Sequence, residues 1–366
     1  MARVHNFAAG PAALPLGVLE EVAAELVEYG DTGMSVLEMS HRSANYQEIY
    51  DHAEQSLREL LDIPSDYRVM FLQGGATLQF AAIPLNLMRT GRADYLVTGS
   101  FAKKAWAEAT KYGQARVAAT SEDTAFDRIC DSATYQVDKS ADYLHICENN
   151  TIYGTMYHEL PDTGDVPLVS DMSSCFLARP ADVSRYGVIY AGAQKNAGPA
   201  GVTIVIARED LIGDSPALDI CPTYMSWATQ AGAGSMYNTP NTFGIYLCGK
   251  VFDWVAAQGG VAAMEERNRA KSDMLYDIID ASDLYQGVAQ PGSRSICNVT
   301  FRCPTPELDA QFVASASEHG LVGVKGHRAA GGIRASLYNA VEPASAEALA
   351  SFMRDFESQM GGSSRS

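Results

Sequence analysis

Two residues in this sequence, a lysine and an aspartate, are best placed to do chemistry. Lys195 lies in a loop of small residues, Ala191–Gly201, between two apolar strand-like runs, and Asp171 follows the apolar run Pro167–Ser170. A desolvated lysine has a lowered pKa and can serve as nucleophile and base, as Schiff-base chemistry requires. A carboxylate at a strand end can hold a cationic ring nitrogen. Each residue alone also has a plainer explanation, a solvated loop lysine and a helix cap.

A third candidate is the glycine-containing loop Gln73–Gln79, which follows the strand-like run Arg68–Leu72. Its small residues let a ligand approach the backbone, and the helix that begins next directs its N–H groups and dipole at a phosphate. Alone, Gly-Gly before a helix more often marks a tight turn. Together with Lys195 and Asp171, the loop gives the arrangement of fold-type I pyridoxal-5′-phosphate (PLP) enzymes. In these the carboxylate keeps the pyridine nitrogen protonated and the lysine moves the substrate proton.

The elements that must position these residues alternate between strand and helix patterns. Seven strand-like runs are predicted at Arg68–Leu72, Asp94–Thr98, Arg116–Ala118, Tyr143–Cys147, Pro167–Ser170, Gly187–Ala191 and Val202–Ala207. Helical patterns fit between them at Leu16–Tyr29, Tyr46–Leu61, Thr77–Arg89 and Phe101–Tyr112. This alternation predicts an α/β fold with a mostly parallel seven-stranded sheet, in which ligands bind beyond the carboxyl ends of the strands.

The pattern changes towards the C-terminus, and 366 residues are too many for one small core. A long helical region, about 240–280 and broken near Gly259, is followed by strand-like Ile296–Arg302, a helix around Leu308–His319, strand-like Ile333–Leu337 and a last helix. We predict an N-terminal arm over residues 1–15, a large PLP-binding domain over 16–264 and a small C-terminal α+β domain over 265–360. Residues 361–366 are predicted to be a disordered tail.

Composition narrows the function classes. The net charge of −17, from 27 basic and 44 acidic residues, argues against binding nucleic acid or an anionic membrane as the main function. No apolar run approaches the ~20 residues that cross a membrane, and no signal-peptide core begins the chain, so we expect a cytoplasmic protein. The seven scattered cysteines lack a C-x-x-C pair, which predicts free thiols and no metal site.

Taken in order, these and further motifs resemble the phosphoserine aminotransferases, which are class-V members of the fold-type I PLP enzymes. The matching segments are Asn6–Pro11, Ser40–Ser43, Gln73–Phe80, Ser170–Ser174, Gly192–Gly198, Tyr237–Pro240 and Gly326–Ala340. The resemblance implies a ping-pong transfer of the amino group from glutamate to 3-phosphohydroxypyruvate, which yields O-phospho-L-serine and 2-oxoglutarate. It also leaves 4-phosphohydroxythreonine, of vitamin B6 biosynthesis, open as a second substrate.

The resemblance implies cofactor-binding roles for a defined set of residues. It assigns Lys195 as the Schiff-base lysine and Asp171 as the partner of the ring nitrogen. The ring would stack on Trp106 and contact Thr151, and the phosphate would be held by Ala76, Thr77 and Gln194, with Asn238 and Thr239 from the neighbouring subunit. The protein would then be a homodimer with composite active sites. Some family members carry an arginine where this chain has Ala76–Leu78, so its phosphate contacts are expected to differ.

Basic residues are expected to select the substrate, because an anionic substrate needs a locally basic site in an acidic protein. The resemblance implies that Arg334 grips the α-carboxylate, which a guanidinium can bind through two parallel hydrogen bonds. It further implies that His41 and Arg42 of the partner subunit, with His327 and Arg328, hold the substrate phosphate or the γ-carboxylate of glutamate. In isolation, such His-Arg pairs would be read as ordinary surface charge.

Three alternatives stay open on the sequence. The first is another fold-type I enzyme, such as an alanine–glyoxylate aminotransferase, which would have little use for two His-Arg pairs. The second is a cysteine desulfurase, which needs a reactive thiol on a mobile loop, with Cys297 and Cys303 as candidates. The third is a PLP-binding protein without catalytic activity. Storage of PLP does not need a carboxylate clamp such as Arg334.

Overall fold

The computed structural model describes residues 3–213 and 217–363. Its strands, in chain order, are β1 (His5–Asn6), β2 (Tyr67–Leu72), β3 (Arg92–Val97), β4 (Gln114–Thr120), β5 (Leu144–Cys147), β6 (Asn149–Asn150), β7 (Thr155–Met156), β8 (Leu168–Asp171), β9 (Val188–Gly192), β10 (Thr203–Arg208), β11 (Gln286–Gly287), β12 (Asn298–Arg302), β13 (Leu321–Val322) and β14 (Ile333–Ser336). Its helices are α1 (Leu16–Ala24), α2 (Ala44–Leu61), α3 (Gly75–Leu87), α4 (Ser100–Ala109), α5 (Glu209–Ile212), α6 (Trp227–Gly232), α7 (Thr242–Ala257), α8 (Gly260–Ala281), α9 (Pro306–Glu318) and α10 (Pro343–Ser363).

A seven-stranded sheet forms the centre of the molecule, in the order β2-β10-β9-β8-β5-β3-β4, and confirms the α/β prediction. β10 runs antiparallel to both of its neighbours, whereas the pairs from β9 to β4 are parallel. The loop between β9 and β10 therefore turns back at the edge where β8 ends. β2 runs in the same direction as β8, so the loop before α3 lies at that edge too.

Both faces of the sheet are covered by helices, which explains why its strands are apolar at consecutive positions. On β9, Val188 and Tyr190 face one core layer together with residues of α3 and α4. Ile189 and Ala191 face the opposite layer with residues of α2 and α7. Because successive side chains of a strand point to opposite faces, the same strand contributes to both layers. Because both faces of the sheet are covered by apolar layers, the polar groups needed for chemistry lie at the strand ends.

The C-terminal part of the chain has its own apolar core, which surrounds Phe312 and includes residues of α8, α9, β12, β14 and α10. Phe7 belongs to this core, and β1 pairs in parallel with β13, so the predicted N-terminal arm packs on the C-terminal unit. The predicted boundary at residue 264 falls inside α8, and the division into domains stays a prediction. In the described part of the chain no helix is long and apolar enough to cross a membrane.

Several predicted elements differ at their ends. α1 ends at Ala24, five residues before the predicted Tyr29, and Val27 beyond it is 83% exposed, so a longer helix would have no core to pack against there. α10 extends to Ser363, so the backbone of 361–363 is helical where a disordered tail was predicted; residues 364–366 lie outside the described residues. A short hairpin of β6 and β7, which was not predicted from the sequence, carries Thr151 in its turn.

Candidate active site

Lys195 lies in the turn between β9 and β10, as predicted, and its side chain points into the site. Its ammonium nitrogen donates to the Thr151 hydroxyl at 2.9 Å and lies 5.6 Å from the centre of the Phe101 ring. Burial lowers the pKa of Lys195, while the negative charge of Asp171 acts in the opposite direction. A half-buried amine with a depressed pKa is suited to nucleophilic attack and to proton transfer.

Asp171 is the last residue of β8 and lies at the same edge of the sheet. Its carboxylate is buried, accepts a hydrogen bond from the backbone N–H of Ser173 at 2.9 Å, and lies opposite Tyr190 of the neighbouring strand β9. Burial raises the pKa of Asp171, and the Ser173 hydrogen bond, the Lys195 charge and the nearby Tyr190 phenol oppose that rise. Donors aimed at a buried carboxylate favour its anionic form, which a cationic ring nitrogen requires.

The loop before α3 lies at this edge and has the features of an anion site. Gly74 is in the left-handed region with φ +93°, and a Cβ there would meet the Leu78 side chain at 2.4 Å, so only glycine fits. No side chain caps the N-terminus of α3, whose first turn contains Ala76 and Thr77. Backbone N–H groups in this position favour a phosphate.

Of the other predicted phosphate-binding residues, Thr239 contacts this loop, whereas Gln194 follows the end of β9. The Gln73 amide donates to the Thr239 carbonyl of the same chain at 3.2 Å, and Asn238 and Thr239 are exposed. The Gln194 side chain lies over Gly192, where a Cβ would come within 2.7 Å of its Oε1. Whether Asn238 and Thr239 serve a neighbouring subunit is not tested by these contacts, and that role stays a prediction.

Trp106 has a structural contact of its own, and its predicted stacking role stays a prediction. Its indole N–H donates to the carbonyl of Ala115 on β4 at 3.0 Å, so the side chain ties α4 to the edge strand of the sheet. The aromatic ring that lies beside Lys195 belongs to Phe101, in the first turn of α4. Trp106 is more than one helical turn further along. A tryptophan is the more typical stacking residue, but the first turn of α4, which contains Phe101, is the part of the helix beside Lys195.

Arg334 lies on β14 of the C-terminal unit, and its side chain contacts Thr151 in the site. One of its Nη1 N–H groups donates to the Thr151 carbonyl at 3.3 Å, and its Nε atom is buried with no hydrogen-bond partner among the described residues. No carboxylate within the described chain pairs with this guanidinium, and burial lowers the pKa of Arg334. A buried cation that lacks its anion is a recognition group for one. Thr151 thus touches both Lys195 and Arg334.

A basic group surrounds Arg334 on the loop that precedes β14. The pKa of His327 is lowered first by burial and then by the positive charges of Arg334, Arg328 and Lys104. Lys104 was missed by the sequence analysis. It is exposed, lies one turn after Phe101 on α4 and has its ammonium nitrogen 5.6 Å from that ring. The charge of a lone helix lysine carried no signal in the sequence.

In the part of the chain that the structure describes, His41 and Arg42 make no hydrogen bond or ion pair with this basic group. They precede α2, whose N-cap is Ser43, and Arg42 is exposed while the Nε2 atom of His41 is buried without a partner. Among the described residues, no hydrogen bond or ion pair joins either of them to Lys195, Arg334 or His327. Their predicted role in a partner's site stays a prediction.

The N-terminal segment closes the site on one side, a role that the sequence analysis did not assign although it noted the motif Asn6–Pro11. A Cβ on Gly10 would lie 3.4 Å from the Lys195 side chain, and the Ala12 N–H donates to the Gln194 carbonyl at 2.9 Å. The Tyr338 hydroxyl donates to the Ala9 carbonyl at 3.0 Å. The segment therefore bridges the lysine loop and the strand end that follows Arg334.

The thiols considered for a desulfurase are poorly placed. Cys297 and Cys303 are both buried, and burial raises the pKa of each to about 12. A reactive cysteine needs an accessible thiolate. Neither cysteine meets that need in this structure, which leaves Lys195, Asp171 and Arg334 as the chemically distinctive set.

Comparisons with known proteins agree with this site. The family of class-V aminotransferases matches residues 4–349. The phosphoserine aminotransferase of Pseudomonas aeruginosa is 53% identical over 360 residues, which cover 98% of this chain and 99% of that protein, and that of Bacillus cereus is 50% identical over 358 residues, which cover 98% and 99%.

Solved structures give the same result. Phosphoserine aminotransferase from Bacillus circulans subsp. alkalophilus superposes with a TM-score of 0.95 at 47% identity, over 98% of this chain and 99% of that one. The PLP-bound enzyme from Trichomonas vaginalis superposes with a TM-score of 0.92 at 37% identity, over 96% and 100%. The chain therefore belongs to the class-V aminotransferases and, within them, to the phosphoserine aminotransferase family.

Proposed function

We propose that this protein is a PLP-dependent aminotransferase that moves an amino group between glutamate and 3-phosphohydroxypyruvate, a step of serine biosynthesis. The observation that carries the proposal is the pairing of Lys195 with Arg334 through Thr151. An amine of lowered pKa and an unpaired guanidinium meet at one residue, which is what an α-amino acid with its carboxylate needs. The names of relatives with about 50% identity over nearly the full chain give the substrate class.

The residues present fit PLP. Asp171 would hold the ring nitrogen, the amine of Lys195 would bind the aldehyde carbon, and the N-terminus of α3 with Thr77 and Gln194 would hold the phosphate. Phe101, whose ring centre lies 5.6 Å from the Lys195 ammonium nitrogen, would contact the cofactor ring in place of Trp106. When bound, PLP supplies an electron sink for the negative charge left when the substrate α-carbon loses its proton.

The chain's own residues then position and move that proton. Arg334 binds the α-carboxylate and so turns the Cα–H bond of the substrate towards the Lys195 amine. Lys195 would take the proton from the substrate α-carbon and deliver it to the carbon that was the aldehyde carbon of the cofactor. The lowered pKa of Lys195 makes this transfer easier near neutral pH. The Thr151 hydroxyl, which accepts from the amine at 2.9 Å, holds the amine in place for this transfer.

The far end of the substrate would be held by the basic group of His327, Arg328 and Lys104. Cationic donors accept both a phosphate and a γ-carboxylate, so a single site can take both substrates of a ping-pong exchange. The phosphate carries more charge and gains more from each cation. The same logic admits 4-phosphohydroxythreonine as a further substrate, since it shares the phosphate and the α-amino acid end.

We also propose a homodimer with composite sites. Arg42, Asn238 and Thr239 are exposed in the single chain and lie in segments that match the family. Leu26, Val27 and Leu37 leave apolar surface near Arg42 in the sequence, with exposures of 42%, 83% and 60%. Mixing Arg42→Ala with Lys195→Ala subunits should restore part of the activity, because one site of the heterodimer has both residues. No recovery under demonstrated subunit exchange would favour a site within one chain.

The proposed reaction is tested by incubating the purified protein with O-phosphoserine and 2-oxoglutarate and measuring the glutamate formed. Serine, alanine and cysteine are run beside it. We expect a strong preference for phosphoserine. Equal or better turnover of an unphosphorylated amino acid would overturn the substrate while leaving a PLP aminotransferase in place.

A further inference from the structure

A row of polar aromatic side chains lies beneath Asp171 in an otherwise apolar layer. The row consists of Tyr143, Tyr95, His145 and Tyr190, which come from the segment before β5 and from β3, β5 and β9, and it is packed among the apolar residues between the sheet and α3. Strand pairing fixes its order, since Tyr95 is opposite His145 and Tyr190 is opposite Asp171. At most 1% of each of these four side chains is exposed. Buried polar groups at this density call for an explanation beyond packing.

The contacts along the row split it into two parts. The hydroxyl groups of Tyr95 and Tyr143 hydrogen-bond each other at 2.6 Å. His145 Nε2 and the Tyr190 hydroxyl are 2.9 Å apart, and Tyr190 is paired across the two strands with Asp171, whose pKa its phenol lowers. The rings of Tyr95 and His145 stack with their centres 4.9 Å apart, but Tyr95 has no hydrogen bond to His145 among the described residues. Only the second part leads to the active site.

The direction of the protons follows from what each group can do. Burial lowers the pKa of His145 to about 3, so its ring is neutral and has one N–H. Its Nδ1 atom is buried with no hydrogen-bond partner in the described part of the chain, so a proton there would be a donor without an acceptor. The proton on Nε2 instead points at the Tyr190 oxygen. Tyr190 then has its own proton free for Asp171, which as an anion can only accept.

We propose that His145 and Tyr190 are positioning residues that hold Asp171 as an anion turned towards the ring nitrogen of the cofactor. His145 donates to Tyr190 and Tyr190 donates to Asp171, so each donor strengthens the next. The backbone N–H of Ser173 fixes the carboxylate through a separate hydrogen bond at 2.9 Å. The inference rests on the proposed function, because it supposes that a protonated ring nitrogen is the partner of Asp171.

The test compares the binding of two probes to the apoprotein, PLP and an analogue that has carbon in place of the ring nitrogen. Both have the same aldehyde and phosphate, so the ratio of their dissociation constants isolates the contact between Asp171 and the nitrogen. We expect the unaltered protein to bind PLP more tightly. Tyr190→Phe should shrink this preference roughly tenfold, the value of one hydrogen bond to a charged group.

Tyr143→Phe is the matched control. It removes a phenol hydroxyl that is equally buried in the same layer and hydrogen-bonded, but that does not reach Asp171. The preference for PLP should stay unchanged in this variant even if its melting temperature falls. Tyr190→Phe leaves the His145 N–H without an acceptor and can lower stability, so a His145→Phe, Tyr190→Phe pair is made as well. Removing both partners leaves no orphaned donor and should give the same loss of preference.

The outcomes separate the inference from the function on which it rests. If the unaltered protein binds no PLP, or binds both probes equally, the proposed function or the role of Asp171 fails. If it prefers PLP and both Tyr190 variants keep that preference in full, His145 and Tyr190 do not act on Asp171 and the inference is overturned. Equal losses in Tyr190→Phe and Tyr143→Phe would show a general effect of the layer and would overturn it too.

Discussion

The two halves of the active site are built in opposite ways. Lys195, Asp171 and Thr151 sit at the edge of the central sheet, and each is partly or fully buried and already hydrogen-bonded. The basic group on the other side, His327 and Arg328 on the loop before β14 with Lys104 on α4, is half-buried or exposed. These side chains face one another as like charges.

The difference has a chemical reason. A group that must react in one geometry loses rate when it moves, so the sheet and its hydrogen bonds hold it before substrate arrives. A group that must accept a phosphate in one half-reaction and a carboxylate in the other gains from being adjustable. Repulsion among unpaired cations is relieved when an anion enters, which makes binding itself the ordering step. Arg334 is intermediate between the two halves, since it is partly buried but has no carboxylate partner among the described residues.

The largest effect is expected on the preorganised side, at Lys195. Lys195→Ala removes the amine that binds the cofactor and moves the proton, so turnover should fall by roughly 10⁴-fold, the upper range for a positioned base. The visible absorbance of bound PLP should change with it. Lys195→Arg is the control that keeps the positive charge but cannot form the Schiff base, and it should be as inactive. Appreciable turnover in either variant would remove Lys195 from the chemistry.

Arg334, between the two halves, should give the next largest effect. Arg334→Ala removes a charge-assisted clamp on the carboxylate common to both substrates, so kcat/KM for each should fall by an amount equal to about 2–5 kcal/mol. Arg334→Lys keeps the charge without the planar pair of donors and should fall in between. Steady-state kinetics with glutamate and with phosphoserine measure both. A loss confined to one substrate would mean that Arg334 binds its far end instead.

Phe101 and Trp106 test the assignment of the ring-stacking side chain. Phe101→Ala should weaken PLP binding about tenfold, because an aromatic contact is worth on the order of 1 kcal/mol beyond its buried area. Trp106→Phe should leave PLP binding unchanged and lower stability by about 1 kcal/mol, through the lost hydrogen bond to Ala115. Cofactor titration and thermal unfolding separate the two. The reverse result would restore the role first given to Trp106.

The contrast between the halves also explains what the sequence could predict. All seven strands of the sheet were located. Six of them are largely buried and have nearly continuous apolar runs, whereas the edge strand β4 has no buried residue. Asp171 and Lys195 stood out because they interrupt such runs at the ends. Functional residues on an irregular turn or a half-exposed helix are not preceded by a continuous apolar run, so the sequence pattern does not single them out. Thr151 was reached only through the family resemblance, since β6 and β7 are two residues each.

Phe101 and Lys104 are clear examples of site residues that could not be predicted from the sequence. Whether a residue of α4 faces the site depends on the rotation of the helix about its axis and on which end meets the sheet edge, and both are set by tertiary packing. The buried row that ends in Tyr190 could not be identified from the sequence either, because each tyrosine alone is typical of a core strand. Its meaning appears only when strand register brings Tyr190 beside Asp171.

The smallest effect is expected at Lys104, on the adjustable side. Lys104→Gln should raise KM for phosphoserine two- to fivefold, since a single exposed charge contributes up to ~1 kcal/mol. Raising the salt concentration should erase the difference, because exposed charges are screened.

The pH dependence gives a second measurement of the same change. The positive charge of Lys104 lowers the pKa of His327, so its removal should raise that pKa and keep His327 protonated to higher pH. The limb of the pH profile of kcat/KM that depends on His327 should move upwards. Lys103→Gln is the matched control, since Lys103 is the neighbouring lysine on α4 and is ion-paired with Glu122. An equal effect of both variants would mean that general charge around α4 attracts the substrate, and that Lys104 has no place in the basic group.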